Sequence, residues 1–112
     1  MATPLNTFRT VTAELVDSDQ VVYTAPLGIT SIILMAQATN VDSSTAAVTF
    51  SHFETTNEIK TELVQEYPII PNDAGGLITG KLVVEQNDQI QARATRSGAL
   101  KLTLSVLESL NA

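Results

Sequence analysis

The chain has 112 residues, 44% of them hydrophobic, with no cysteine, no tryptophan and a formal net charge of −6. This length suits one domain around one core, and the missing cysteine excludes a disulfide-stapled scaffold and a thiolate metal cluster. Residues 1–80 hold nine acidic side chains against two basic ones (Arg9, Lys60), a balance that repels phosphate, excludes general nucleic-acid binding and favours protein partners or further copies of the chain.

Taken in order, residues 1–7 are polar with one proline and read as a flexible arm that can reach a neighbouring subunit through Thr3, Pro4 and Leu5. MATPLNTFRT has neither the basic nor the apolar region of a signal peptide. No apolar run approaches the roughly 20 residues of a membrane helix, so no membrane partner is expected. Residues 8–112 read as a single domain. Residues 8–16 alternate, with Val11, Ala13 and Leu15 on the inner side, which predicts a half-buried strand. Asp17-Ser18-Asp19 is a turn cluster. A short strand over 20–25 carries Val21 and Tyr23 on one face, and Pro26-Leu27-Gly28 ends it.

The longest apolar ribbon covers 29–41. Ile32, Leu34, Ala36 and Ala38 form one face, and Ile33 and Met35 make the opposite face apolar at its start. A strand covered by a neighbouring subunit on that second face would give this pattern. Residues 42–45 form a loop, and 46–53 a strand with Val48, Phe50 and His52 on one face. Pairing the two apolar faces sets Ala36 against Phe50 and Leu34 near His52. Residues 55–67 fit helical spacing (Ile59, Leu63, Val64, Tyr67) as well as strand spacing (Thr61, Leu63, Gln65, Tyr67). The β-rich surroundings favour loop then strand. Pro68-Ile69-Ile70-Pro71 must be extended and cannot be a central strand.

Gly75-Gly76 breaks the chain. Segments 81–85, 90–95 and 100–107 then read as a meander with tight turns at Gln86-Asn87-Asp88 and Arg96-Ser97-Gly98. Val84, Ile90, Ala94 and Leu100 point inward, and Gly98 occupies a left-handed position. In that register Arg93 stands across from Lys101. Like charges opposite one another destabilise by a few tenths of a kcal/mol. A solvated pair tolerates this, a one-residue slip removes it, and an acidic group from another chain would turn it into a contact. Arg93, Arg96 and Lys101 are therefore the candidate interface cluster. Together these segments predict an all-β fold, an antiparallel β-sandwich of seven to eight strands, Greek-key or jelly-roll.

Chemistry is sparse. His52 is the single histidine, so only it could serve a triad, and one histidine does not make a zinc site. Asp17 and Asp19 lack the glycine and distal glutamate of a calcium loop. Glu54, Glu58, Glu62 and Glu66 form an acidic stripe only on a helix. Gly75-Gly76 with Gly80 lacks phosphate-loop spacing. No catalytic residue, metal or cofactor is assigned, and the chain reads as a non-enzyme.

Three stretches carry a resemblance: Val22-Tyr23-Thr24-Ala25-Pro26 with Gly28 and the strand ending at Asn40; Pro68 to Pro71 before Gly80-Lys81-Leu82-Val83; and Asp88 through Ser97-Gly98 to Leu104-Ser105-Val106-Leu107-Glu108. In order and spacing, over 20–108, they resemble small β-sandwich structural proteins in the virions of tailed bacteriophages, marine and cyanobacterial ones included. The resemblance implies a virion component made in the host cytoplasm and present in many copies. It would be a capsid decoration (cement) protein forming a trimer or ring on the major capsid protein, or a neck, tail or baseplate adaptor. A receptor- or carbohydrate-binding fibre tip is the reading from another class, and the scarcity of aromatics weighs against it.

Overall fold

The computed structural model describes residues 6–111, and every helix or strand in them is a strand. These are β1 (Asn6–Glu14), β2 (Gln20–Thr24), β3 (Ile29–Asn40), β4 (Ala46–Glu54), β5 (Ile59–Ile69), β6 (Ala74–Gly76), β7 (Leu82–Val84), β8 (Gln89–Ala94) and β9 (Leu100–Leu110). They form two antiparallel sheets. The first has the order β1-β9-β3-β6, with β7 also paired to β3; the second has the order β2-β8-β4-β5. β6 and β7 meet β3 at 37–39 and 31–33, so they share one strand position along the same edge. Counting that position once gives sheets ordered 1-8-3-6 and 2-7-4-5, the double Greek key of a jelly roll. The sandwich expected from the alternating segments is the observed fold.

The last third departs from the expected meander. β7 and β9 lie in the first sheet and β8 in the second, so the chain crosses the sandwich twice. The local expectations hold: Val84, Ile90, Ala94 and Leu100 are all buried, and Gly98 is left-handed (φ 82°), as is Asn87 (φ 69°). A hairpin and a crossing between sheets use the same turn residues and the same parity, so only the neighbours differ. Arg93 is accordingly level with Thr49, while Lys101 lies between Glu14 and Thr39. The two cations occupy opposite outer faces of the sandwich.

Bulges account for the other differences. Between Ile33 and Met35 the β3–β9 register shifts, so Ser31 and Ile33 face inward before it and Ala36, Ala38 and Asn40 after it. Ile32 and Leu34, expected inward, are therefore on the outside, and Leu34 does not approach His52 within the core. Ala36 and Phe50 are both buried, but from opposite sheets. A shift between Val21 and Tyr23 leaves Val21 exposed and Tyr23 buried. β5 carries two shifts, one around Glu66 (φ 49°) and one at Leu63, which produced the helix-like spacing. Pro68 sits in β5, an edge strand, as its missing N–H requires. Gly75-Gly76 does not break the chain but forms β6. A Cβ on Gly75 would stand 2.7 Å from Cε2 of Tyr67, so the ring covers that position. β1 starts at Asn6, so Asn6 and Thr7 belong to a strand and not to the expected arm.

Phe50, Ile33, Ile90, Val48 and the even residues Leu100 to Val106 of β9 fill the space between the sheets. Two polar struts close its ends. Asn40 is buried; its Nδ2 donates to the carbonyls of Ile69 (2.7 Å) and Ser44 (3.0 Å), and its Oδ1 accepts from Asp42 N–H (2.8 Å). At the other end the Tyr23 hydroxyl donates to Glu108 Oε2 at 2.5 Å, so the Ser31 hydroxyl, 2.6 Å away, donates to the phenol oxygen. Burial, followed by the bond to Glu108, pushes the Tyr23 phenol up to about 12.

Candidate docking surface

The outer face of the first sheet carries an apolar row fixed by strand register. Phe8 pairs with Leu107, Leu107 with Ile32, and Ile32 with Val83, so four strands each place one apolar side chain in line. Phe8 is 74% exposed and Val83 54%, while the two between them are half-buried by their neighbours. Leu34, turned outward by the β3 bulge, lines a depression of about 250 Å³ with Phe8, Thr10 and Ser105. Beyond it the same face becomes polar through Thr12, Thr103 and Gln37 and ends at Glu14, Lys101 and Thr39. Alternation along the ribbon predicts an apolar second face at its start made by Ile33 and Met35. The bulge, which no local signal marks, gives that face to Ile32 and Leu34 and turns Ile33 inward.

The outer face of the second sheet is closed by its own charges. Asp19 accepts from Lys60 and from Arg93 (3.0 Å), and these bonds, that of Lys60 foremost, hold its carboxyl below the usual value. Asp19 is thus engaged as an ion-pair partner. Among the described residues no group of acidic or histidine side chains could hold a metal ion.

The cluster proposed from sequence is dispersed. Arg93 is bound to Asp19. Arg96, in the β8–β9 turn, donates to Asp42 (2.8 and 3.1 Å) and to the carbonyls of Ser44 and Thr45 (both 2.9 Å), so it fastens the 42–45 loop. That bond to Arg96, together with the Ser43 amide, lowers the Asp42 pKa. Lys101 makes no ion pair among the described residues. The acid expected from another chain beside Arg93 comes from this one. Thr3, Pro4 and Leu5 lie outside the described residues.

His52 faces Ile90 and Thr61 across its ladder, with Nε2 3.6 Å from Asp88 Oδ2. Asp88 is buried and also accepts from Thr55 N–H (3.3 Å). No hydroxyl among the described residues is hydrogen-bonded to His52, so the third member of a triad is missing there. The four glutamates form no stripe. Glu54 ends β4 and accepts from Asn57, Glu58 is in a turn with positive φ, and Glu62 and Glu66 are on β5. An apolar groove between β5 and the β6–β7 segment is lined by Leu63, Val64, Leu77, Ile78 and Leu82, with Lys81 at its wall.

No protein-family model and no curated protein matches the sequence. Among solved structures, the chain is similar to a protein of the Bacillus endospore appendages, described as a family of disulfide-linked pili. The TM-score is 0.57 at 11% identity, over 96% of this chain and 88% of that one. It is also similar to a protein of the IBDV T13 viral particle, with a TM-score of 0.52 at 6% identity. That match covers 98% of this chain and 32% of the other, so this chain spans about a third of that protein. A pentameric capsid protein from metagenomic phage sequences gives a TM-score of 0.42 at 13% identity, over 90% and 61%. At these identities the likeness to the appendage protein and the IBDV-particle protein is one of fold alone.

Proposed function

We propose that this chain is a structural component of a phage particle, a capsid decoration protein that stabilises the head by docking on capsid subunits in many symmetric copies. The observation that carries the reading is the row Phe8, Leu107, Ile32 and Val83, apolar across four strands of a stiff sheet and with no further layer over it among the described residues. Covering it yields roughly 1 kcal/mol per side chain, about half the value of full burial. That is weak for one copy, and repetition over a symmetric surface adds up. The sandwich fold and the tailed-phage resemblance over 20–108 support a virion setting. With no cysteine in the chain, copies would be held without the disulfides of the appendage pili. On this reading no bond is made or broken by the protein.

The test is sedimentation of purified protein with undecorated heads of its phage. Co-pelleting of the wild type, and its loss in Phe8→Asp, is the expected result. Wild-type protein left in the supernatant would remove the capsid role, and pelleting with isolated tails or necks in its place would move the component to the adaptor position.

A further inference from the structure

The four edges of the sandwich are not equivalent. β5 is bulged twice and contains Pro68; β2 is five residues long and bulged; β6 and β7 are three residues each. Such features block the addition of a further strand. β1 has none of them. Its nine residues pair with β9 without a register shift, contain no proline and are almost all exposed. Leu15 N–H donates to the carbonyl of Leu100 at 3.0 Å, in register with the β1–β9 pairs. Alternation along an antiparallel ladder then assigns the odd residues to β9 and turns the main-chain groups of Asn6, Phe8, Thr10, Thr12 and Glu14 toward the open side.

We propose that this edge is an interface for a second copy of the chain, β1 pairing antiparallel with β1 of its partner about a two-fold axis at Thr10. Only in that register is every residue of the strand paired. With the axis at Thr10, all five open residues find a partner, giving about ten main-chain hydrogen bonds. Asn6 then faces Glu14, Phe8 faces Thr12, and Thr10 faces its own copy; on the other face Arg9 meets Val11. No charge opposes a like charge. An axis at Arg9 would set two guanidinium groups against each other, and an axis at Val11 would carry Asn6 past the end of the partner strand. The two-fold keeps both outer faces on one side, so the two apolar rows share a single continuous sheet. An isologous contact of this kind closes on itself. It makes the free protein a dimer in place of the trimer or ring that the resemblance implies. The inference rests on the main chain of β1 and does not depend on the virion reading.

The experiment is sedimentation velocity of the full chain, wild type beside Thr10→Lys and Thr10→Glu. Thr10 is exposed and its N–H bonds nothing in β9, so both variants should retain the β circular-dichroism spectrum of the wild type. The expected result is a wild-type dimer, a dissociation constant raised about tenfold or more in each variant alone, and recovery of the dimer when the two variants are mixed. Thr10→Cys should also cross-link across the axis under mild oxidation, since facing strand residues lie within disulfide reach. A wild-type monomer at the highest soluble concentration, a trimer, or a dimer indifferent to both charges would overturn the proposal. Head binding is read separately, so a dimer that ignores capsids would leave this edge standing and remove the decoration role.

Discussion

Asn40 Nδ2 donates to the carbonyl of Ile69 at 2.7 Å, joining the end of β3 in the first sheet to the end of β5 in the second. The same side chain holds Ser44 O and Asp42 N–H, so one buried amide satisfies two carbonyls and one N–H. Asn40→Ala leaves these groups without partners and should destabilise the fold by about 2–4 kcal/mol. Urea unfolding with an unchanged m-value would measure it.

At the opposite end, Tyr23→Phe removes the donor to Glu108 and the acceptor of the Ser31 hydroxyl. A loss of about 1–2 kcal/mol at neutral pH is expected. The phenol pKa is raised from 10.0 to about 12 in the folded chain. Its contribution is therefore complete below pH 10 and is lost as pH climbs through 12, because the unfolded chain gives up the proton first. Thermal melts should show this alkaline decline in the wild type and a shallower one in Tyr23→Phe.

The acid limb has the opposite sign. Hydrogen bonds from Lys60 and Arg93 lower the Asp19 pKa, and those from Arg96 and Ser43 lower that of Asp42, each from 3.8. A depressed folded value stabilises above the unfolded value and is lost as pH falls through the folded one. As pH falls below the 3.8 of a free carboxyl the melting temperature should fall, less steeply in Asp19→Asn, which has already lost its ion pairs at neutral pH.

Two phenylalanines separate folding from docking. Phe50 is wholly buried, and Phe50→Ala should destabilise by about 3–5 kcal/mol. Phe8 is 74% exposed on an edge strand. Phe8→Asp should change stability by no more than about 0.5 kcal/mol while abolishing co-sedimentation with heads. Equal losses of stability in both would mean that Phe8 is structural.

What could be read from the sequence was local. Alternation identified the strands, Pro68 marked an edge, Gly98 marked a left-handed turn, and the inward set Val84, Ile90, Ala94 and Leu100 followed from parity. Sheet membership could not be read this way. A five-residue link after Ala94 serves a hairpin and a crossing equally, and the choice depends on what β1, β3 and β4 have already occupied. The bulge after Ile33 was equally silent, because an apolar residue stands on each side of it. The docking row was therefore only half legible: its residues are hydrophobic in sequence, but Phe8, Leu107, Ile32 and Val83 come into line only through the order β1-β9-β3-β7. The expected pairing of Arg93 with Lys101 is absent for the same reason, since it relied on β8 and β9 being neighbours.

The most direct measurement is an electron cryomicroscopy density map of the intact particle. The expected map shows this sandwich on the particle in symmetric copies, with Phe8, Leu107, Ile32 and Val83 turned against a neighbouring subunit. Particles that lack the chain, or that carry it with this row facing solvent, would contradict it.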